Sequence, residues 1–150
     1  MTTPVTPLLT VDAVIELPDR DGCPIVVIER KHPPLGLALP GGFVDVGETV
    51  EAAVMRESDE EVGLKIDLKG VLGVFSDPAR DVRGHTVSIV YVATATGEPA
   101  AADDAAEVFV VNPDELLVES LVFDHAKIIG RYRLYRQGGI ALLPAVSLDP

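Results

Sequence analysis

The stretch PGGFVDVGETVEAAVMRESDEEVGL, from Pro40 to Leu64, decides the fold of this chain. It opens on a glycine pair, Gly41-Gly42, and continues into a run from Thr49 to Val62 that contains neither proline nor glycine. Threonine is a common helix N-cap, and a glycine such as Gly63 commonly ends a helix. The stretch therefore predicts a glycine turn followed by one α-helix between Thr49 and Gly63.

Three acidic residues of this helix stand at positions i, i+3 and i+4, namely Glu57, Glu60 and Glu61. Residues at this spacing share one helix face, and like charges there destabilise the helix by roughly 0.2–0.5 kcal/mol per pair unless a cation compensates. Hard divalent cations such as Mg²⁺ bind clustered carboxylates and often share them with substrate phosphates. A solvated acidic surface is the competing interpretation of the three glutamates taken alone.

The wider spacing of fixed residues distinguishes the two interpretations. In order it reads Gly42, five residues, Glu48, seven residues, Arg56-Glu57, two residues, Glu60-Glu61, one residue, and Gly63-Leu64. This pattern resembles the Nudix box, the motif of the Nudix hydrolase superfamily. Ser58 departs from it, because the box usually has an aliphatic residue there. Since Ser58 is not an expected ligand, the departure concerns local packing more than chemistry.

The resemblance implies an α-β-α sandwich with a mixed β-sheet and hydrolysis of a nucleoside diphosphate linked to another group. It also implies Mg²⁺ or Mn²⁺ held by Glu57, Glu60 and Glu61, with the backbone carbonyl of Gly41 completing the coordination. Such a cation can neutralise phosphate charge and acidify a water molecule. Arg56 is part of the motif and is expected to orient a carboxylate such as Glu48 rather than to touch substrate.

The resemblance further implies a base or a water-orienting carboxylate, often from a loop outside the box. The candidates are Asp103, Asp104 and Glu107, which lie in an acidic loop and at the start of a strand. Each of them could equally be a solvated surface acid, and the glutamates of the box could also serve.

The flanking segments resemble small ADP-ribose pyrophosphatases. They are residues 30–34 (RKHPP), 38–44 (ALPGGFV), 76–85 (SDPARDVRGH) and 124–126 (DHA). The expected reaction is cleavage of ADP-ribose to AMP and ribose 5-phosphate. The expected substrate-binding residues are Arg30, Arg80, Arg83, Gly42 and Phe43.

Several flanking residues have a second interpretation. Arg80 and Arg83 offer planar donors suited to phosphate or ribose oxygens, but with Asp81 they could instead pair among themselves and hold their loop. Adenine needs an aromatic or apolar slot, for which Phe43, Phe75 and Tyr91 are candidates, although core positions are expected for all three. His32 is expected at the surface of a loop, His85 as a packed or capping residue, and His125 at the start of the last helix.

Two other functions remain open from the sequence. One is a sanitising hydrolase that acts on oxidised nucleoside triphosphates, or a hydrolase of other dinucleotides or nucleotide sugars. The other is a non-catalytic ADP-ribose sensor, because related regulators of NAD metabolism share a loop similar to residues 76–84. Those regulators append a DNA-binding winged helix, whereas only a short tail follows the last predicted helix here.

The composition bounds the remaining possibilities. The 150 residues predict a single domain over 1–150, with tails at 1–7 and 139–150. The net charge of −12 argues against a nucleic-acid-binding surface, which needs a basic patch. No apolar run reaches the length of a membrane span, and the lone Cys23 can form no internal disulfide, so we expect a cytoplasmic protein. The apolar C-terminal tail could dock on the domain or contribute to a homodimer.

Alternating and apolar runs predict the other elements of the domain. Strands are expected at 9–17, 24–30, 37–39, 65–75, 87–95 and 107–111. A helix start is expected at 112–115, where proline follows asparagine, and a long helix at 123–136.

Overall fold

A computed structural model describes residues 2–146, so the last four residues of the predicted C-terminal tail lie outside the described part of the chain. The strands are β1 Leu8–Glu16, β2 Ile25–Arg30, β3 Leu37–Ala38, β4 Gly41–Phe43, β5 Asp67–Phe75, β6 Thr86–Thr94 and β7 Ala105–Val111. The helices are α1 Val50–Val62 and α2 His125–Arg136, preceded by a 3₁₀ turn at Val118–Ser120.

The strands form one mixed sheet in the order β3-β2-β1-β6-β5, with β4 paired to β1 and β7 paired to β2. The central strands β1 and β6 run parallel over their full length, from Leu8 opposite Thr86 to Glu16 opposite Thr94. The other pairs are antiparallel. The predicted mixed sheet is confirmed.

Each face of the sheet carries one helix. Successive side chains of a strand point to opposite faces, so Val11, Ala13 and Ile15 of β1 pack on the α1 side while Val14 packs on the α2 side. The buried residues on the helices are Ala53, Val54 and Val62 of α1 and Ile128, Ile129 and Tyr132 of α2. The two cores confirm the α-β-α sandwich.

Strand β1 changes partner along its length, and this creates an opening in the sheet. Glu16, at its C-terminal end, pairs with Ile25 of β2, whereas Thr10 to Asp12 pair with β4. The glycine pair expected as a turn is instead part of a short strand, in which Gly41 pairs with Asp12 and Gly42 with Val11 of β1. A β-carbon at Gly41 would overlap Asp12 and the carbonyl of Val11, so only glycine fits there.

Helix α1 begins and ends where the sequence predicts. The hydroxyl of Thr49 accepts the backbone N–H of Ala52 at 3.1 Å, and Gly63 closes the helix with a left-handed φ of 68°. Ser58 is buried, and its hydroxyl donates to the carbonyl of Val54 at 2.8 Å. This internal hydrogen bond satisfies the hydroxyl, which explains how a serine occupies an apolar position.

Some predicted boundaries are wrong. The predicted helix start at 112–115 is an isolated turn, because the side chain and the carbonyl of Asn112 both accept N–H groups of the next residues and the chain does not continue helically. The last helix begins at His125 rather than at residue 123, because Phe123 has a positive φ. The strand predicted from residue 65 begins at Asp67, and the one predicted at 37–39 ends at Ala38.

The C-terminal tail docks on the domain as far as it is described. Leu143 exchanges two backbone hydrogen bonds with Val71 of β5, at 2.7 and 3.0 Å, and so covers part of this edge of the sheet. Among residues 2–146, no helix is both long and apolar enough to cross a membrane.

Candidate active site

A cleft of about 190 Å³ opens where β1 parts from β2. The glycine strand β4, helix α1, the loop after β5 and the start of α2 all contribute to its walls. The lining side chains that matter for chemistry are Asp12, Arg30, Phe43, Glu57, Glu61, Arg80, Arg83, Asp104, Phe123 and His125. Residues from seven separate segments of the sequence therefore meet at one site.

Glu57 and Glu61 form the acidic wall of the cleft. Glu61 is 4 % exposed, and its Oε2 is a buried atom with no hydrogen-bond partner. Burial, and then the charge of Glu57, raise the pKa of Glu61 to about 9. Burial likewise raises the pKa of Glu57, whose carboxylate lies against the Cα of Gly42. Glu57 has one cationic partner, Arg56, whereas Glu61 forms no ion pair within residues 2–146, so burial disfavours the ionised form of both carboxylates.

Arg56 supports this wall from the solvent side. Its guanidinium donates to both oxygens of Glu48, at 2.6 and 3.1 Å, as expected from the sequence. It also donates to Glu57 at 3.0 Å, to Glu60 at 3.2 Å and to the carbonyl of Phe43 at 3.1 Å. The hydrogen bonds from Arg56 lower the pKa of Glu48 to about 2. Arg56 thus positions carboxylates and ties α1 to the glycine strand.

The acidic wall fits a divalent cation. Glu61 has an unpartnered oxygen, and both glutamates have raised pKa values. A divalent cation bound between them would partner this oxygen and stabilise both ionised carboxylates. Glu60 differs, because its side chain is 46 % exposed and is held by Arg56. Within residues 2–146, no three Asp, Glu, His or Cys side chains already converge as a complete ligand set.

Of the three candidate bases, the structure brings Asp104 to the cleft. Its charge contributes to the raised pKa values of Glu57 and Glu61, which reflects its proximity to them. Asp103 presents its backbone carbonyl to Lys31 Nζ at 2.7 Å, and Glu107 is exposed in β7 opposite Glu29 of β2. The loop before Asp104 is attached to α1, since Ala100 and Ala102 donate to the carbonyls of Val62 and Glu61.

Arginine and aromatic side chains line the cleft beside the acidic wall. The guanidinium of Arg30 lies 4.9 Å from the ring centroid of Phe123, and that of Arg83 lies 5.1 Å from the same centroid. Arg83 also lies 5.5 Å from the ring of Phe43. Phe43 is 42 % exposed, so the expectation of a core position for it is wrong. Tyr91, by contrast, is buried in the core as expected.

Arg80 and Arg83 have different environments although both belong to the predicted substrate loop. Arg83 is paired with Asp81 at 2.8 Å and remains 42 % exposed, as the loop-holding alternative predicts for this pair. The side chain of Arg80 is 3 % exposed and donates twice to Asp124, at 2.8 and 3.0 Å, and once to Thr86 at 2.7 Å. Its partner is therefore Asp124 rather than Asp81, and its donors are largely engaged.

A buried polar cluster at the base of the cleft was not predicted. Asp12 accepts the hydroxyl of Ser88 and lies 3.5 Å from Nε2 of His125. Burial raises the pKa of Asp12 to about 7 and lowers that of His125 to about 3. Because Nδ1 of His125 accepts the N–H of Leu39 at 3.0 Å, its proton resides on Nε2 and faces Asp12. The sequence indicates this cluster only through Asp12, which interrupts an otherwise apolar run.

Comparisons with known proteins agree with this geometry. The NUDIX domain family pattern matches residues 6–132. The chain is 45 % identical over 135 residues to an ADP-ribose pyrophosphatase of Methanocaldococcus jannaschii, covering 88 % of this chain and 76 % of that enzyme. It is 38 % identical over 79 residues to a putative 8-oxo-dGTP diphosphatase of Bacillus subtilis, covering 53 % of this chain and half of that protein.

Solved structures give the same result. The NUDIX domain of Shewanella oneidensis NrtR, crystallised with ADP ribose, superposes with a TM-score of 0.76 at 28 % identity, over 88 % of this chain and 90 % of that one. A MutT/nudix family protein of Enterococcus faecalis gives 0.76 at 30 % identity over 91 % of this chain, which spans 65 % of that chain. The chain belongs to the Nudix family and is a Nudix hydrolase.

Proposed function

We propose that this Nudix hydrolase cleaves ADP-ribose to AMP and ribose 5-phosphate with the help of Mg²⁺ or Mn²⁺. The observation that carries the proposal is the pairing of two walls in one cleft: Glu57 and Glu61 on one side, and Arg30 and Arg83 on the other. A diphosphate is an anion that suits both walls, because a cation on the glutamates and the two guanidinium groups all attract phosphate oxygens.

Each wall has a separate task in the proposed reaction. Arg30 has its Nε bound to the carbonyl of Pro34 at 2.8 Å and forms no ion pair within residues 2–146, so it is free to bind a phosphate. Glu57 and Glu61, with the carbonyl of Gly41, would hold the cation, with Glu60 at the exposed margin. A bound cation supplies positive charge to the diphosphate and makes a water molecule more acidic.

Asp104 is the carboxylate proposed to orient the attacking water, because it is the candidate base that lines the cleft. Hydrolysis forms one bond between the water oxygen and a phosphorus and breaks the bond from that phosphorus to the bridging oxygen. The leaving phosphate carries away the bridging electron pair, and the water proton passes to a carboxylate and then to solvent. Both products are phosphate monoesters, which matches AMP and ribose 5-phosphate.

The names of two relatives support ADP-ribose as the substrate. The archaeal relative is named for ADP-ribose, and the NrtR domain was crystallised with it. The Bacillus relative supports the second candidate, hydrolysis of oxidised nucleoside triphosphates, over about half of this chain. The adjoining Phe43 and Phe123 offer aromatic surface that suits the base of either candidate substrate. The higher identity and wider coverage of the archaeal relative favour ADP-ribose.

The test is hydrolysis of ADP-ribose with Mg²⁺ and with Mn²⁺, products identified by mass, beside 8-oxo-dGTP and a nucleotide sugar. The proposal is supported if ADP-ribose is cleaved faster than the other two substrates and yields AMP plus ribose 5-phosphate. If 8-oxo-dGTP is cleaved faster than ADP-ribose and releases pyrophosphate, the protein is a sanitising hydrolase instead. Binding of ADP-ribose with no cleavage of any substrate would identify a sensor.

Two finer expectations also belong to the proposal. A homodimer is supported by exposed apolar side chains near the C-terminus, Leu134, Leu143 and Val146, and sedimentation equilibrium would measure the mass. The expected cytoplasmic location stays a prediction of the sequence, as does the absence of nucleic-acid and membrane partners.

A further inference from the structure

Phe123 has an unusual backbone for a large residue. Its φ is +56°, in the left-handed region that bulky side chains rarely occupy. Such a conformation persists only when the surrounding structure enforces it, and it occurs most often where a site needs a side chain in a particular place. The ring that this backbone places in the cleft contacts both Arg30 and Arg83.

The residues on either side of Phe123 are held independently. Before it, Val122 donates its N–H to the carbonyl of Leu37 at 2.9 Å. After it, Asp124 is held by the two hydrogen bonds from Arg80, and His125 accepts the N–H of Leu39 at 3.0 Å. Phe123 is therefore fixed between two attachments to the segment around β3, which is enough to maintain its strained backbone.

The two arginines that meet this ring carry like charges in a partly buried place. Burial, and then the charge of Arg83, lower the pKa of Arg30, so each guanidinium disfavours the other. Arg83 is neutralised by Asp81, whereas the one hydrogen bond of the Arg30 side chain within the described residues goes to the carbonyl of Pro34. The face of an aromatic ring attracts guanidinium groups and can hold them where no carboxylate does.

We propose that Phe123 is a positioning residue, held in a strained conformation by Arg80–Asp124 and His125, that aligns Arg30 and Arg83 as a joint binding site for a diphosphate. The inference rests on the proposed assignment of the diphosphate to this cleft. It also gives Arg80 a task that differs from substrate contact: it maintains the segment that carries the ring.

The test measures binding as well as turnover. Phe123→Leu keeps an apolar side chain without an aromatic face, and Phe123→Tyr keeps the face. Affinity for inorganic pyrophosphate is measured by calorimetry without divalent cations, and KM and kcat are measured for ADP-ribose with Mg²⁺. We expect Phe123→Leu to weaken pyrophosphate binding and to raise KM by about ten-fold each while kcat changes little, and Phe123→Tyr to restore both. Phe109→Leu is the control, because Phe109 lies in β7 outside the cleft.

A stability comparison separates positioning from packing. Glycine tolerates a φ of +56° and alanine does not, so Phe123→Gly should unfold at a higher temperature than Phe123→Ala although both lose the ring. Both should bind pyrophosphate as weakly as Phe123→Leu.

The outcomes distinguish this inference from the proposed function. If the parent leaves ADP-ribose intact but Phe123→Leu still weakens pyrophosphate binding, the substrate is wrong and the positioning role stands. If Phe123→Leu binds pyrophosphate as the parent does, or if the parent does not bind it at all, the positioning role is overturned.

Discussion

The carboxylate of Glu57 lies against the α-carbon of Gly42 so closely that a β-carbon at this glycine would overlap Cδ and both oxygens of the carboxylate. Helix α1 and strand β4 are thus packed without a side chain between them at the acidic wall. Glycine is required here for close approach rather than for an unusual φ. The position of Glu57 consequently depends on the residue at 42 as much as on its own helix.

Gly42→Ala should strongly reduce activity without unfolding the protein. The group that a β-carbon would meet is the end of a flexible side chain, so Glu57 can move away while the backbone stays in place. We expect turnover of ADP-ribose to fall by about 10²-fold or more, as for other losses of an aligned charged group, with little change in the thermal midpoint.

Gly130→Ala is the matched control for this glycine. Gly130 lies within α2, and a β-carbon there would meet nothing within 4 Å. Alanine should stabilise the helix by about 0.5–1 kcal/mol and leave turnover unchanged. Normal turnover by Gly42→Ala would show that Glu57 does not need its present position.

Glu61→Gln should remove both metal-dependent turnover and stabilisation by Mg²⁺. The amide keeps the size of the side chain but not the charge that a divalent cation needs, so turnover should fall by about 10³-fold, equivalent to several kcal/mol of transition-state stabilisation. Without divalent cations the variant should be at least as stable as the parent, because position 61 no longer buries an ionisable group. Mg²⁺ should raise the melting temperature of the parent only; an equal rise in the variant would contradict the assignment of Glu61 as a ligand.

Arg80→Ala should lower the free energy of unfolding strongly. Arg80→Ala leaves the carboxylate of Asp124, with 8 % of its side chain exposed, without its partner, and breaking a buried pair in this way destabilises by about 3–5 kcal/mol. Arg20→Ala, which breaks an exposed pair with Glu98, should cost less than about 1 kcal/mol. Urea denaturation measures both. An Arg80→Ala protein as stable as the parent would contradict the stabilising role of the pair with Asp124.

The local features of the structure were the predictable ones. Thr49, Gly63 and the strand alternation act over a few residues, so the caps of α1 and most of the strands could be predicted. The α-β-α sandwich with a mixed sheet followed from the resemblance to the Nudix family. The pairing of Arg56 with Glu48 followed from the motif. Each of these depends on spacing along the chain or on a recognisable pattern.

The base of the cleft depends instead on long-range contacts. Asp12 and Ser88 meet across the parallel pairing of β1 and β6, 76 residues apart in sequence, and His125 joins them from the start of α2. A single aspartate in an apolar strand and a histidine before a helix carry no joint pattern. The same holds for Arg80, whose partner Asp124 lies 44 residues away. Phe123 was missed because a positive φ at phenylalanine has no sequence indicator.

His125 should make the protein sensitive to acid. Burial lowers its pKa from 6.5 to about 3, so between these values the unfolded chain binds a proton that the folded chain does not. Stability supplied by the neutral imidazole is therefore complete above about pH 6.5 and is lost as the pH falls toward 3, on the order of 5 kcal/mol in all. His125→Asn can still accept the N–H of Leu39 but has no proton to gain. Urea unfolding from pH 7.5 to 4.5 should show the parent losing stability more steeply than the variant, and parallel curves would mean that His125 titrates normally.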